Sequence, residues 1–350
     1  MSRGEAPTGG HAGAGERPLA LILAGVLVLG VAASLFIGRL ELSPGELAQS
    51  AAAWWSGAAL PPELASKALV FWLVRLPRLL TALLVGAGLA VAGATYQALF
   101  RNPLASPEIL GVAAGCAAGA ALALVLPAAG FTVVRLLALA GGLAAVAATM
   151  ALARLVAVRP VLVLVLAGLV VTSLCNAVIM ILKYLADPFN QLPAIVFWLM
   201  GSLARATWAD LLPLAPLVGG GVLVVHGLRY RLNVLSLGDR QAKSLGLSPA
   251  WHRAWLITVS SLMVALSVAT CGQVAWLGLV IPHIARTLVG PNHERMIPVT
   301  ALCGALFFLL CDDLARSLTT VELPVGVVTS LIGGPLFAWL LYRNRGSGWL

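Results

Sequence analysis

Apolar runs of membrane-crossing length, separated by short polar corners, fill the chain from Pro18 onward. About 20 apolar residues in a helix span a bilayer. On that measure the pattern predicts crossings over 18–38, 79–100, 109–126, 131–154, 160–182, 211–228, 255–270, 274–289, 297–311 and 324–342. The segment from Leu192 to Gly201 is too short to cross and is expected at the interface, with Phe197 and Trp198 as anchors. Ser43-Pro44-Gly45-Glu46 predicts a helix start, with an N-cap serine and proline in the first turn. Residues 1–17, rich in Gly and Ala, read as a disordered tail. The first crossing is too long for a signal-peptide core and is expected to stay as an anchor. The expected architecture is an all-α polytopic membrane protein of about ten transmembrane helices, a single domain over 18–345.

The stretch from Arg75 to Gly119 organises the rest. Arg75-Leu-Pro-Arg78 opens one apolar run, and Arg101-Asn-Pro-Leu-Ala-Ser-Pro-Glu108 joins it to the next. Gly86, Gly88 and Gly93 lie in the first run, and Gly111, Gly115 and Gly119 repeat at small-xxx-small spacing in the second. In lipid, apolar burial does not drive helices together, so small residues that let backbones approach are expected to carry the packing.

Composition agrees. Of 350 residues, 60% are hydrophobic and 10% charged, and the mean hydropathy is +0.98. Soluble domains are about a quarter charged. The net charge of +9 is scattered between apolar runs and forms no stripe, which argues against nucleic acid. Its use is topological. Ten crossings put fourteen of the 22 Lys and Arg on the side shared by the termini and eight on the other. By the positive-inside rule the termini are cytoplasmic, and Arg75, Arg78 and Arg316 face outward against the bias. Helices two to five then begin outside and helices seven to ten inside, which permits an inverted repeat. The five cysteines, Cys116, Cys175, Cys271, Cys303 and Cys311, all fall in apolar runs without metal-ligand spacing and read as small hydrophobes.

Candidate chemistry is sparse. The loop 229–253 is strongly basic and contains a short amphipathic segment, Leu237 to Gly246, either a docking helix or an ordinary charged loop. Gly238 to Ser244 ends in Lys-Ser but lacks the second glycine of a phosphate loop and follows no strand. His283, beside Pro282 and near Arg286, is a proton carrier or, better supported, a structural residue. Thr172, Ser173 and Asn176 share one helical face and either line a polar path or bond neighbouring helices. Asp312, Asp313 and Arg316 mark the outer end of helix nine, as ion pairs at the membrane edge or as a docking site. No triad, carboxylate pair or metal-ligand cluster stands out, so no catalytic residue and no metal are assigned.

Six stretches together resemble the FecCD/BtuC-type permeases, membrane subunits of ATP-driven importers for iron-siderophores, haem and vitamin B12. They are Arg75 to Arg78, Gln97 to Gly111, Trp198 to Ser202, Leu237 to Gly246, Gly278 to Arg286, and Glu322 through Gly333. The resemblance covers the chain in order from about residue 70. It implies a BtuC-like ten-helix permease of a type II ABC importer, working by alternating access as a homodimer or paired permease in the bacterial inner membrane. Two cytoplasmic ATPase subunits would dock at Leu237, Gly238, Asp239, Arg240, Lys243, Leu245 and Gly246. A periplasmic substrate-binding protein would meet Arg75, Arg78 and Arg316, and Thr172, Ser173 and Asn176 would lie along the path. Membrane lipid completes the partners. The chain would hold no cofactor and hydrolyse no ATP, since ATP and Mg belong to the partner ATPase. An iron-siderophore is the first cargo implied, with haem or vitamin B12 as alternatives. The rival class, a proton-coupled secondary transporter, needs intramembrane carboxylates, and the apolar runs offer little beyond Asp312 and Asp313.

Overall fold

The computed structural model describes residues 16–38, 43–127, 130–156 and 160–343. Of the expected tail over residues 1–17, positions 1–15 lie outside them, as do the corners at 39–42 and 157–159, whereas Glu16 and Arg17 open the first helix. Every regular element among the described residues is helical. Eight helices are long and apolar enough to cross a membrane. In chain order the elements are α1 (Glu16–Phe36), α2 (Pro44–Ser56), α3 (Pro62–Val70), α4 (Leu76–Phe100), α5 (Val112–Val125), α6 (Phe131–Leu155), α7 (Pro160–Leu185) and α8 (Gln191–Met200). Then follow α9 (Trp208–Leu214), α10 (Gly220–Gly227), α11 (Arg229–Ser236), α12 (Asp239–Ser244), α13 (Pro249–Cys271), α14 (Leu277–Val289), α15 (His293–Ser317) and α16 (Val325–Arg343). The short apolar helices α5 and α14 occupy the places of the third and eighth expected crossings.

Helix α4 is the axis of the fold. Every residue from Gly88 to Phe100 is buried, which suits a helix apolar on all sides. It packs against α13, α14 and α15. The contacts are backbone to backbone. A Cβ on Gly86 would strike the Gly304 carbonyl of α15, and one on Gly93 would strike the Gly278 carbonyl of α14. The Gly278 carbonyl is the one that Pro282, lacking an N–H, leaves unbonded within α14. Proline therefore does not interrupt this helix; it frees a carbonyl that glycine lets α4 approach. In the same way Gly115 and Gly119 of α5 sit on the backbone of α6 at Gly141 and Leu137. Gly111 serves differently. With φ at 77° it turns the chain into α5. One polar bond crosses the core, from Tyr96 on α4 to Ser261 on α13 at 2.7 Å.

Two π turns mark where prolines enter long helices. The first, Phe71–Arg75, joins α3 to α4 ahead of Pro77, so this crossing begins well before residue 79. The shift to i→i+5 bonding sends the Leu76 N–H to the Phe71 carbonyl. The Trp72 carbonyl, left over, accepts from the indole of Trp208 at 2.8 Å. The second, Ala215–Gly219, carries Pro216 and joins α9 to α10 as one span. At the outer edge the expected start of α2 is present as a reciprocal capping box, Ser43 N–H to Glu46 at 2.7 Å and Glu46 N–H to Ser43 Oγ at 3.2 Å.

These contacts predict a contrast between glycines. Gly93→Val overpacks a backbone contact that no rotamer change relieves, and overpacking costs about 1–3 kcal/mol or more. Gly220→Ala, at a helical position with nothing within 4 Å of the added methyl, is expected to be neutral or stabilising by up to about 1 kcal/mol. Thermal unfolding of the purified variants in detergent checks both.

Candidate translocation cavity and docking surfaces

The C-terminal ends of α1 and α15 and the start of α4 meet in a buried charged network. A helix ends with carbonyls that have no partner in the helix. At the end of α1, Arg75 donates to the Leu35 carbonyl at 3.0 Å and Arg316 to the Ser34 carbonyl at 2.9 Å. Cations are favoured there by the helix dipole as well. Arg316 also pairs with Asp313, and the Ser34 hydroxyl donates to Asp313 at 2.7 Å. Arg78 is bound on every nitrogen. Its Nε and Nη2 reach the Asp312 carboxylate at 2.9–3.2 Å, and its Nη1 reaches both oxygens of Glu322 at 2.9 and 3.1 Å. The Arg78 and Asp312 side chains are 8% and 2% exposed, so the pair is shielded from solvent.

A binding protein was expected to meet Arg75, Arg78 and Arg316; in the structure their donors hold α1, α4, α15 and the 318–324 turn to one another. Sequence alone did not show it, because Arg78 and its partners lie 234 and 244 residues apart. A second outer pair, Arg135 with Asp210, was not anticipated either. Asp210 doubles as the N3 residue of a capping box with Thr207 at the start of α9.

Below this network lies a cavity of about 590 Å³. Thr172 and Asn176 of α7 line it, whereas Ser173, on the same helix, does not. Glu108, Gln273 and Ser330 line it too, and sequence reading had missed them. Its wall is built where three chain segments are stitched together: Ser202 N–H donates to the Cys271 carbonyl at 2.7 Å, and Val325 N–H to the Gly201 carbonyl at 3.0 Å. Gly201 has φ at 75° and touches the Gln273 carbonyl, so the turn after α8 both bends and packs as only glycine permits. A smaller cavity of about 270 Å³ adjoins, sharing Glu108, Ala113, Val274 and Ala275. His283 is buried on α14 with its ring 5.5 Å from that of Phe337, and it lines neither cavity, in keeping with a structural place.

At the opposite end of α4 the expected amphipathic segment contains helix α12. Ala242 is buried, whereas Leu237 and Leu245 are 60% and 58% exposed. Arg240 and Lys243 flank them on the same segment, with Lys243 exposed. Asp239 is held from behind by Arg253 of α13 at 2.8 Å, and that hydrogen bond keeps its carboxyl below the ordinary range. Gly238 has φ at 115°, and a Cβ there would stand 3.2 Å from Arg101. Arg101 is the left-handed C-cap of α4. The surface segment thus rests on the end of the central helix. Asn233 of α11 adds a second tie, bonding Asn292 at 2.7 Å and the N–H of His293 at 2.8 Å at the head of α15.

The model of the FecCD transport family matches residues 26–343. The chain belongs to this family. Relatives of the FecCD chain include the molybdate import system permease protein MolB of Haemophilus influenzae, 40% identical over 92% of this chain and 95% of that one. The Fe(3+) dicitrate transport system permease protein FecD of Escherichia coli is 42% identical over 77% of this chain and 84% of that one. A solved metal-chelate type ABC transporter in an inward-facing conformation superposes with a TM-score of 0.83 at 38% identity, covering 93% of this chain and 99% of that one. The FecCD chain is therefore a multi-pass membrane permease of an ABC importer, a class that works as paired subunits with ATPase partners.

The outer network predicts a non-additive pair. Removing one partner of a buried ion pair costs about 3–5 kcal/mol, while replacing both with apolar groups is often near neutral. Arg78→Met is expected to lower the unfolding temperature in detergent sharply, and Arg78→Met with Asp312→Leu to recover much of the loss.

Proposed function

We propose that this permease moves an iron-siderophore or related ferric chelate from the outer to the inner face of a bacterial inner membrane. The observation that carries the reading is the cavity. At about 590 Å³ it falls within the range of sites for drug-sized ligands, far beyond what a bare tetrahedral oxyanion fills. Its lining of alanine, valine, leucine and methionine, with a few neutral polar groups and the carboxyl of Glu108, suits the organic shell of a chelate. The name of the MolB relative makes molybdate the second reading. The lining favours the chelate, since it presents no lysine or arginine to a dianion.

In this reading the permease breaks no bond. Two ATPase subunits hydrolyse ATP, a binding protein delivers cargo, and two permease copies switch the side to which the path opens. The fourteen-to-eight distribution of Lys and Arg supports cytoplasmic termini. The exposed Leu237 and Leu245, flanked by Arg240 and Lys243, form the contact for the ATPases, and Gly238 and Asp239 set its angle against Arg101 and Arg253.

Uptake of radiolabelled ferric siderophore, haem, cobalamin and molybdate by the complete importer in proteoliposomes tests the cargo. Accumulation of the ferric chelate that depends on ATP supports the reading; uptake of molybdate alone overturns it. Leu245→Arg and Asp239→Ala are expected to leave the permease folded and lower coupled uptake at least tenfold. Equal uptake by wild type and both variants would remove the docking assignment.

A further inference from the structure

Among the described residues Glu108 is the one titratable group in the lining of either adjoining cavity, and it lies in the lining of both. Its side chain makes no hydrogen bond or ion pair among the described residues, although the residue is exposed. The exposure is toward the cavity, because neighbouring positions in the 107–110 turn are held in the protein. Pro107 and Leu110 are buried, Gly111 turns against Thr172, and Gly168 of α7 admits the Ile109 carbonyl at a spot where a Cβ would collide. The turn is thus fixed by backbone contacts on both sides of Glu108. Thr172, Asn176, Gln273 and Ser330, which share the larger cavity, are all neutral.

We propose that Glu108 selects the charge of the cargo, favouring a neutral or cationic chelate in the cavity and disfavouring an anionic one. The proposal rests on the reading of this cavity as the path of a metal chelate and adds the class of chelate. The physical ground is focusing. A cleft with low-dielectric walls and charge of one sign concentrates its field and changes the local concentration of charged solutes by about tenfold or more. Here no lysine, arginine or histidine lines the cavity to cancel a carboxylate. A negative chelate therefore meets repulsion at the point where the two cavities join, and a neutral one does not.

Thiol labelling reads that field without requiring transport. Asn176→Cys places a reporter in the same cavity, within the complete importer; the protein without it gives the background from the native Cys175. Reaction rates with a cationic and an anionic methanethiosulfonate are compared with glutamate at 108, then with Glu108→Gln and Glu108→Asp. The expected result is a cation-to-anion rate ratio that falls about tenfold in Glu108→Gln and is retained in Glu108→Asp. An unchanged ratio in Glu108→Gln overturns the proposal. A parallel uptake assay compares a neutral ferric trihydroxamate with an anionic ferric triscatecholate, each loaded on a binding protein shown to hold it. Relative uptake of the anion should rise about tenfold in Glu108→Gln. A shifted labelling ratio with no uptake of either chelate leaves the charge role of Glu108 standing and removes the chelate reading instead.

Discussion

A chain that lives in lipid has no water with which to satisfy its own polar groups, and the structure is shaped by that scarcity. Backbone groups freed where helices end or depart from regular bonding have found neighbours. The last carbonyls of α1 accept from Arg75 and Arg316. The carbonyl displaced by the π turn before Pro77 accepts from Trp208. The Gly278 carbonyl released by Pro282 lies against Gly93. Unsatisfied groups in hydrocarbon cost several kcal/mol each, so these local irregularities are possible only where another helix stands at the right distance. Irregular backbone and close packing are thus one design feature seen twice.

The same constraint separates the ends of the molecule from its middle. Charges collect at the outer network and the inner loop, where they tie helices to one another. Between them the lining is small, apolar and neutral, apart from Glu108. On the proposed reading, such a wall offers a bulky cargo few directed bonds and leaves charge as the ground for discrimination along the path.

Much of this was legible in the residues. Run lengths alone placed eight helices of crossing length and the two shorter apolar helices α5 and α14, and the glycines of α4 and α5 announced close packing. What stayed hidden was whatever depended on long-range pairing. Arg78 reads as a free outward cation until the fold brings Asp312 and Glu322 to it. Glu108 reads as part of a polar corner at the inner end of a helix, because nothing local shows the turn folded back into the cavity wall. Thr172 and Asn176 were found by helical spacing, but spacing could not say that Ser173 lies outside the lining. At Pro282 local sequence shows the lost hydrogen bond but not the glycine that makes room for the carbonyl it leaves.

Helix α4 has 25 residues and is therefore about 37 Å long. A fork of salt links clamps one tip and the 237–246 segment rests on the other. A rod buried on all sides cannot bend to absorb a push at its foot; it tilts or turns as a unit. A displacement of that segment is thereby felt at the far tip, among the ion pairs of Arg78.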